Sequence, residues 1–224
     1  MLKLIIFDLD RTLFDWDRTQ EIATEKVNQW LKSYCDPIKF WQYYQLEHDI
    51  IRQQFGVEVY RIARYLRPLQ RLGINDLEFA KKLNQCFVQH ALTSDLFCPA
   101  AEYVLDQCKK LDVKMVLLTN GLSQGQYLKI KNLNLDRWFD AYFVSEEQGI
   151  SKPAPQAFLN ICQKFDIQPQ ECLMVGDDLE LDILPAYDLG MQVYWVSSEQ
   201  KEYKHLSTYE LVQLPKLIHT EFNF

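Results

Sequence analysis

The chain has 224 residues, 48% of them apolar and 25% charged, with a formal net charge of −7, which is enough to bury a sizeable core in one large domain or two unequal ones. No long run of one sign accompanies that charge, which argues against nucleic-acid polymers and against a polybasic membrane patch. No apolar stretch reaches the roughly 20 residues of a bilayer span, so small molecules are the expected partners.

The first apolar run, Leu2 to Phe7, is too short for a signal-peptide core and leads into acidic residues, so it reads as a buried strand. Residues 15–92 then show helical signals only. Ile22, Val27, Trp30, Leu31 and Tyr34 share one helical face, and Asp36-Pro37 offers an N-cap with proline at the first helical position. That second helix is expected to stop at Phe55-Gly56, a third at about Arg67 before Pro68, and a fourth to start near Asn75-Asp76.

From Pro99 onward helices and short apolar strands alternate. The predicted helices are Ala100–Leu111, Ser123–Leu133, Pro155–Phe165 and Leu179–Leu189, and the predicted strands are Val113–Leu118, Ala141–Val144, Cys172–Val175 and Met191–Val196. Such alternation indicates an α/β fold, a Rossmann-like parallel sheet with helices on both faces. The expected core is residues 1–14 and 93–224, interrupted by an all-helical insertion over 15–92.

In an open parallel sheet, ligands bind beyond the carboxyl ends of the strands. The residues at those ends are Asp8 and Asp10 with Thr12 after the first strand, Thr119-Asn120-Gly121 after the second, Lys152 in the loop after the third, and Gly176-Asp177-Asp178 with Asp182 after the fourth. Carboxylates converging on one edge repel one another unless a cation sits among them. Mg2+ is the natural candidate, because it takes hard oxygen ligands from one or two carboxylates plus a substrate phosphate. Thr119, Asn120 and Lys152 supply donors that suit phosphoryl oxygens.

The order Asp8-x-Asp10-x-Thr12, Thr119-Asn120-Gly121, Lys152-Pro153 and Gly176-Asp177-x4-Asp182 resembles the four motifs of the haloacid dehalogenase (HAD) superfamily, over nearly the whole chain. The resemblance implies that Asp8 is the nucleophile and forms an aspartyl-phosphate. It also implies that Asp10 is acid and then base, and that Thr119, Asn120 and Lys152 bind the phosphoryl group. Mg2+ would be held by Asp8, Asp177 and the Asp10 carbonyl, with Asp178 or Asp182 in support. An acid at Asp10 favours phosphoryl transfer over dehalogenation. Arg11 departs from the small or amide residue more usual in that place.

Residues 15–92 resemble a C1-type helical cap, and the cap together with Ser145 to Pro153 is most similar to the pyrimidine 5′-nucleotidase group, which implies a small phosphorylated metabolite such as a nucleoside 5′-monophosphate. A phosphomutase uses the same carboxylates, and a phospho-accepting receiver module gathers similar groups around magnesium. The six cysteines show no CxxC pair, which argues against zinc; with no secretion signal, the expected setting is cytoplasmic. The stripe Arg61, Arg64, Arg67, Arg71 reads as a solvated face or as anion steering, and Phe40, Trp41, Tyr43 and Tyr44 as helical core. His48, His90, His205 and His219 have no partner visible in the sequence.

Overall fold

The structure is a computed structural model that describes residues 1–54 and 57–220, with backbone only for 48–54, 57–61 and 219. The expected helix stop at Phe55-Gly56 and the side chains of His48, Arg61 and His219 therefore lie outside the described residues. The chain divides into two compact units, one formed by Met1–Trp16 with Ser94–Phe224 and the other by Asp17–Thr93.

The first unit is built on a sheet of seven strands in the order β3-β2-β1-β4-β5-β7-β6. These are β1 (Leu4–Phe7), β2 (Lys114–Thr119), β3 (Ala141–Val144), β4 (Cys172–Gly176), β5 (Gln192–Val196), β6 (Glu202–Tyr203) and β7 (Leu206–Tyr209). All pairs are parallel except β6 with β7. The last two strands are absent from the sequence reading. They are two and four residues long, β6 exposed and β7 mostly half-buried with polar Ser207 and Thr208 at its centre, so they lack the apolar run that marks the others.

Alternation within the strands explains why both faces are covered. Ile5, Phe7, Met115, Leu117, Leu173 and Val175 pack with Val104, Leu105, Leu214 and Ile218 on one face. Leu4, Ile6, Val116, Leu118 and Met174 pack with Phe158, Ile161 and Ala186 on the other. The helices responsible are α5 (Ala101–Cys108), α8 (Pro155–Phe165), α9 (Leu184–Asp188) and α10 (Leu214–Thr220), while α6 (Ser123–Asn132) and the short α7 (Ser145–Gln148) follow β2 and β3. The predicted helix Leu179–Leu189 is in fact a π-helical turn over Leu179–Ile183 running into α9. Phe7 is paired with Leu117 on one side and Val175 on the other, so the loops after β1, β2 and β4 leave the sheet at nearly one level.

The second unit contains α1 (Trp16–Leu31, entered from the first unit), α2 (Pro37–Gln54), α3 (Val57–Arg71) and α4 (Leu77–Leu92). Its core includes Val27, Leu31, Phe40, Tyr65, Leu69, Phe79 and Leu83. Asp36 and Asp76 cap their helices, accepting from the N–H groups of Ile38 at 2.9 Å and Phe79 at 2.8 Å.

Two expectations are corrected here. Ile22, Trp30 and Tyr34 are exposed although Val27 and Leu31 are buried, so the buried line runs through the i, i+4 pair and not across the wider face. The third helix does not end before Pro68 but continues to Arg71. Proline within a helix forfeits one hydrogen bond at a cost of about 3 kcal/mol. Buried Leu69 and a clamp on Glu47 offset it: Arg71 donates to Glu47 Oε1 from Nε at 2.9 Å and from Nη2 at 2.7 Å, and Arg67 reaches Oε2 at 3.4 Å. Arg64 donates to Asn84 at 3.2 Å and lies 5.0 Å from the ring centroids of Tyr65 and Phe87. The described arginines of the stripe thus tie helices together.

Candidate active site

The strand ends of the first unit and the loops that follow them bring four charged residues together, three of them buried. Asp8 continues β1 by donating its N–H to the Val175 carbonyl at 2.9 Å. Its Oδ1 accepts from Lys152 Nζ at 2.5 Å, and the same ammonium donates to Asp182 Oδ1 at 2.6 Å. Asp8, Lys152 and Asp182 are all buried. Asp177 joins them, since oxygens of Asp8, Asp177 and Asp182 lie within 4.8 Å of one another.

Each member is held by its own local structure. Asn120 places Lys152 with both ends of its carboxamide: Oδ1 accepts from the Lys152 N–H and Nδ2 donates to the Lys152 carbonyl, each at 2.9 Å. Asp177 is fixed through its backbone carbonyl by Trp195 Nε1 at 3.0 Å and receives the Thr12 hydroxyl at 3.4 Å. Asp182 Oδ2 accepts the Asp178 N–H at 3.2 Å. Gly176 makes this possible, because a Cβ there would stand 2.6 Å from Asp182 Cβ and Cγ. Asp178 turns away from the group and caps the following turn, accepting from the N–H groups of Glu180 and Leu181 at 2.9 Å each.

Three carboxylates around one ammonium leave an excess of negative charge, and the protonation equilibria reflect it. Burial, reinforced by Asp182 and Asp177 against the pull of Lys152, pushes the Asp8 carboxyl up to about 8. Burial and Asp182 push Asp177 up to about 6, with Arg11 opposing. Burial disfavours the Lys152 cation, yet Asp8 and Asp182 outweigh it and hold the ammonium above its ordinary range. Hard oxygen donors carrying surplus negative charge fit a divalent cation, which would bind in place of the protons the cluster otherwise retains.

Asp10 stands beside this group with a different set of partners. Both of its oxygens accept from Lys129 Nζ, at 2.6 and 2.8 Å, and Oδ2 also accepts from Gln126 Nε2 at 3.2 Å. Gln126 Nε2 further donates to Thr119 Oγ1 at 2.5 Å and to the Asn120 carbonyl at 3.0 Å. Gln126 and Lys129 were not among the residues singled out in the sequence. Their signal is positional: with Ile130 and Leu133 they occupy the i, i+3, i+4, i+7 line of α6, and all four are buried, so two polar residues sit on a core-facing stripe.

Comparison with known proteins agrees with this architecture. The family profile of haloacid dehalogenase-like hydrolases matches residues 5–196. A glyceraldehyde 3-phosphate phosphatase of Pyrococcus furiosus is 29% identical over 97% of this chain and 92% of its own length. An N-acylneuraminate-9-phosphatase of Rattus norvegicus is 34% identical over 97% and 94%. The crystal structure of a HAD-hydrolase of Bacillus subtilis bound to magnesium superposes with a TM-score of 0.76 at 19% identity, covering 100% of this chain and 99% of that one. The chain belongs to the haloacid dehalogenase-like hydrolase family. Within that family it is a phosphatase, as are these relatives that match it over nearly its whole length.

Two outcomes follow from the packing and charge of the cluster. Gly176→Ala should destabilise the protein by about 1–3 kcal/mol through overpacking, measured by chemical denaturation; unchanged stability would contradict the close approach of Asp182. The second concerns pH. Asp8 and Asp177 have folded-state values near 8 and 6, above the ordinary carboxylate value, so the folded chain retains protons that the unfolded chain releases. Their stabilisation is complete below about pH 4 and is lost as pH rises through those values, by up to about 1.4 kcal/mol per pH unit for each group. In chelator, melting temperature should fall from about pH 5 to about pH 8, and Asp8→Asn should flatten that fall. A melting temperature that climbs over this range in both proteins would refute the assignment.

Proposed function

We propose that the protein is a magnesium-dependent phosphomonoester hydrolase that works through an aspartyl-phosphate on Asp8 and acts on a small phosphorylated metabolite. The observation that carries this reading is the presence, two residues apart on one strand-end turn, of two carboxylates with opposite surroundings. Asp8 is buried against Lys152, whereas Asp10 has 28% of its side chain exposed and faces separate donors. Such a difference suits two different roles, nucleophile and proton carrier.

In this reading Lys152 holds Asp8 by Oδ1, which orients Oδ2 toward phosphorus. The Asp8–phosphorus bond forms as the bond to the leaving oxygen breaks, and Asp10 protonates that oxygen. Water then attacks the aspartyl-phosphate and gives its proton to Asp10, which restores both carboxyl groups. Lys152 and the Thr119 hydroxyl offset charge on the transferring group. Asn120 contributes through Lys152, since its carboxamide is occupied by that residue's backbone. Asp8, Asp177 and the Asp10 carbonyl would hold Mg2+, with Asp182 the supporting carboxylate and Asp178 a helix cap. Bound there, the metal supplies positive charge that keeps Asp8 ionised and neutralises phosphoryl oxygens.

Residues 15–92 serve as the cap and choose the substrate. The named relatives act on glyceraldehyde 3-phosphate and N-acylneuraminate 9-phosphate, and one of Halopiger xanaduensis, 26% identical, on ribulose 1,5-bisphosphate. They favour a phosphorylated carbohydrate or related acid. A nucleoside 5′-monophosphate, suggested by the Ser145 to Pro153 segment, is the second reading. Solved dehalogenases also share the fold, among them that of Xanthobacter autotrophicus at a TM-score of 0.66 and 21% identity, but that likeness concerns the fold alone.

A phosphate-release screen over sugar phosphates, acid phosphates and nucleotides tests the proposal. Turnover is expected with magnesium, with loss on chelation and loss of at least about 10³-fold in Asp8→Asn, as for removal of a covalent nucleophile. Turnover that survives Asp8→Asn would sink it, and isomerised product without free phosphate would indicate a mutase.

A further inference from the structure

We infer that Lys129 and Gln126 are positioning residues for proton transfer, a pair on α6 that fixes the Asp10 carboxyl relative to Thr119. This rests on the phosphatase reading above and deepens it.

Lys129 is 4% exposed, so its ammonium has given up nearly all of its water. A desolvated cation requires compensation, and Asp10 supplies it with both oxygens, at 2.6 and 2.8 Å. Aromatic faces supply the rest: Nζ lies 4.4 Å from the Trp16 ring centroid and 5.1 Å from that of Phe14. Phe14 lies in the turn after β1 that carries Asp10, and Trp16 begins α1 two residues later. The ammonium is therefore enclosed by one short segment, and it cannot shift without moving Asp10.

Gln126 adds a second constraint one turn earlier on the helix. Its buried Nε2 shares its two hydrogens among Asp10 Oδ2, Thr119 Oγ1 and the Asn120 carbonyl. One nitrogen thus ties the proton carrier of the first strand to the phosphoryl-binding hydroxyl of the second. Asp10 is pinned from its buried side by Lys129 and Gln126, while 28% of its side chain stays exposed. A carboxyl held at its back and open at its front has one direction in which to exchange a proton. When Asp10 has protonated the leaving oxygen, its carboxylate remains bonded to Lys129, and the proton taken later from water returns to the same oxygens.

The test is a mutant cycle on the magnesium-loaded enzyme, using the best alkyl phosphomonoester from the screen and 4-nitrophenyl phosphate, whose leaving group needs little protonation. Lys129→Met should slow leaving-group release from the alkyl ester, followed in a single turnover so that hydrolysis of the aspartyl-phosphate does not contribute, by roughly 10²-fold, as expected for a misplaced catalytic group, with KM unchanged and a much smaller loss on the aryl ester. Lys129→Arg should recover most of the rate. In an Asp10→Asn background Lys129→Met should have no further effect on either ester. Gln126→Leu provides the same comparison, with a smaller loss, if Lys129→Met does not fold. Equal losses on both esters, or a further loss in the Asp10→Asn background, would show a general structural role and overturn the inference while the phosphatase reading stands. Absence of turnover in the wild-type enzyme would overturn that reading and the inference with it.

Discussion

The organising interaction of the core unit is the bridge that Lys152 makes between Asp8 and Asp182, at 2.5 and 2.6 Å. An ammonium removed from water is costly, and so is each carboxylate. The two carboxylates already outnumber the one ammonium, and Asp177 adds a third. Removing that surplus requires either protons, as the raised values for Asp8 and Asp177 describe, or a divalent ion. The same imbalance that should weaken the metal-free fold at higher pH makes the cluster one that could hold a cation. Stability would be surrendered there in exchange for a charged site that a metal completes.

Much of the surrounding fold exists to hold that bridge in register. Parallel pairing of β1 with β2 and β4 sets Asp8, Thr119 and Asp177 at neighbouring strand ends. Lys152 arrives from a loop, the least rigid kind of element, and the reciprocal Asn120 bonds make up for that. Gly176 supplies the space that lets Asp182 reach back from the next turn. The fold and the site are therefore linked by geometry at three points that each involve a residue too small or too polar to belong to the apolar core.

How much of this was legible in the sequence depended on whether a residue announced itself by position. Asp8 and Asp177 stand at the ends of apolar runs, so strand-end reasoning finds them, whereas Lys152 lies in a loop beyond α7 and is found through the Lys152-Pro153 motif. The choice between Asp178 and Asp182 stayed open because both precede or enter the same turn. Only the three-dimensional path shows Asp178 capping Glu180 and Leu181 while Asp182 folds back under Gly176. Gln126 and Lys129 were hidden by the opposite effect, since a glutamine and a lysine in a helix read as solvated unless the stripe they share with Ile130 is noticed. Pro68 misled through a local rule that tertiary packing overrode, and β6 and β7 carry no pattern at all.

The arginines of α3 bear on where recognition can reside. A stripe of cations in a helical unit invites the idea of an anion-binding face, but Arg67 and Arg71 meet Glu47, whose carboxylate is buried. Arg64 lies against Tyr65 and Phe87. A guanidinium already committed to a carboxylate offers an incoming phosphate far less than a free one, because the existing bond must be broken first. In the proposed mechanism the phosphoryl group is bound by donors of the sheet unit, Lys152 and Thr119. On that proposal the helical unit would discriminate by shape and by groups other than these arginines, which would allow one phosphoryl-transfer apparatus to serve substrates that differ only in what the phosphate is attached to.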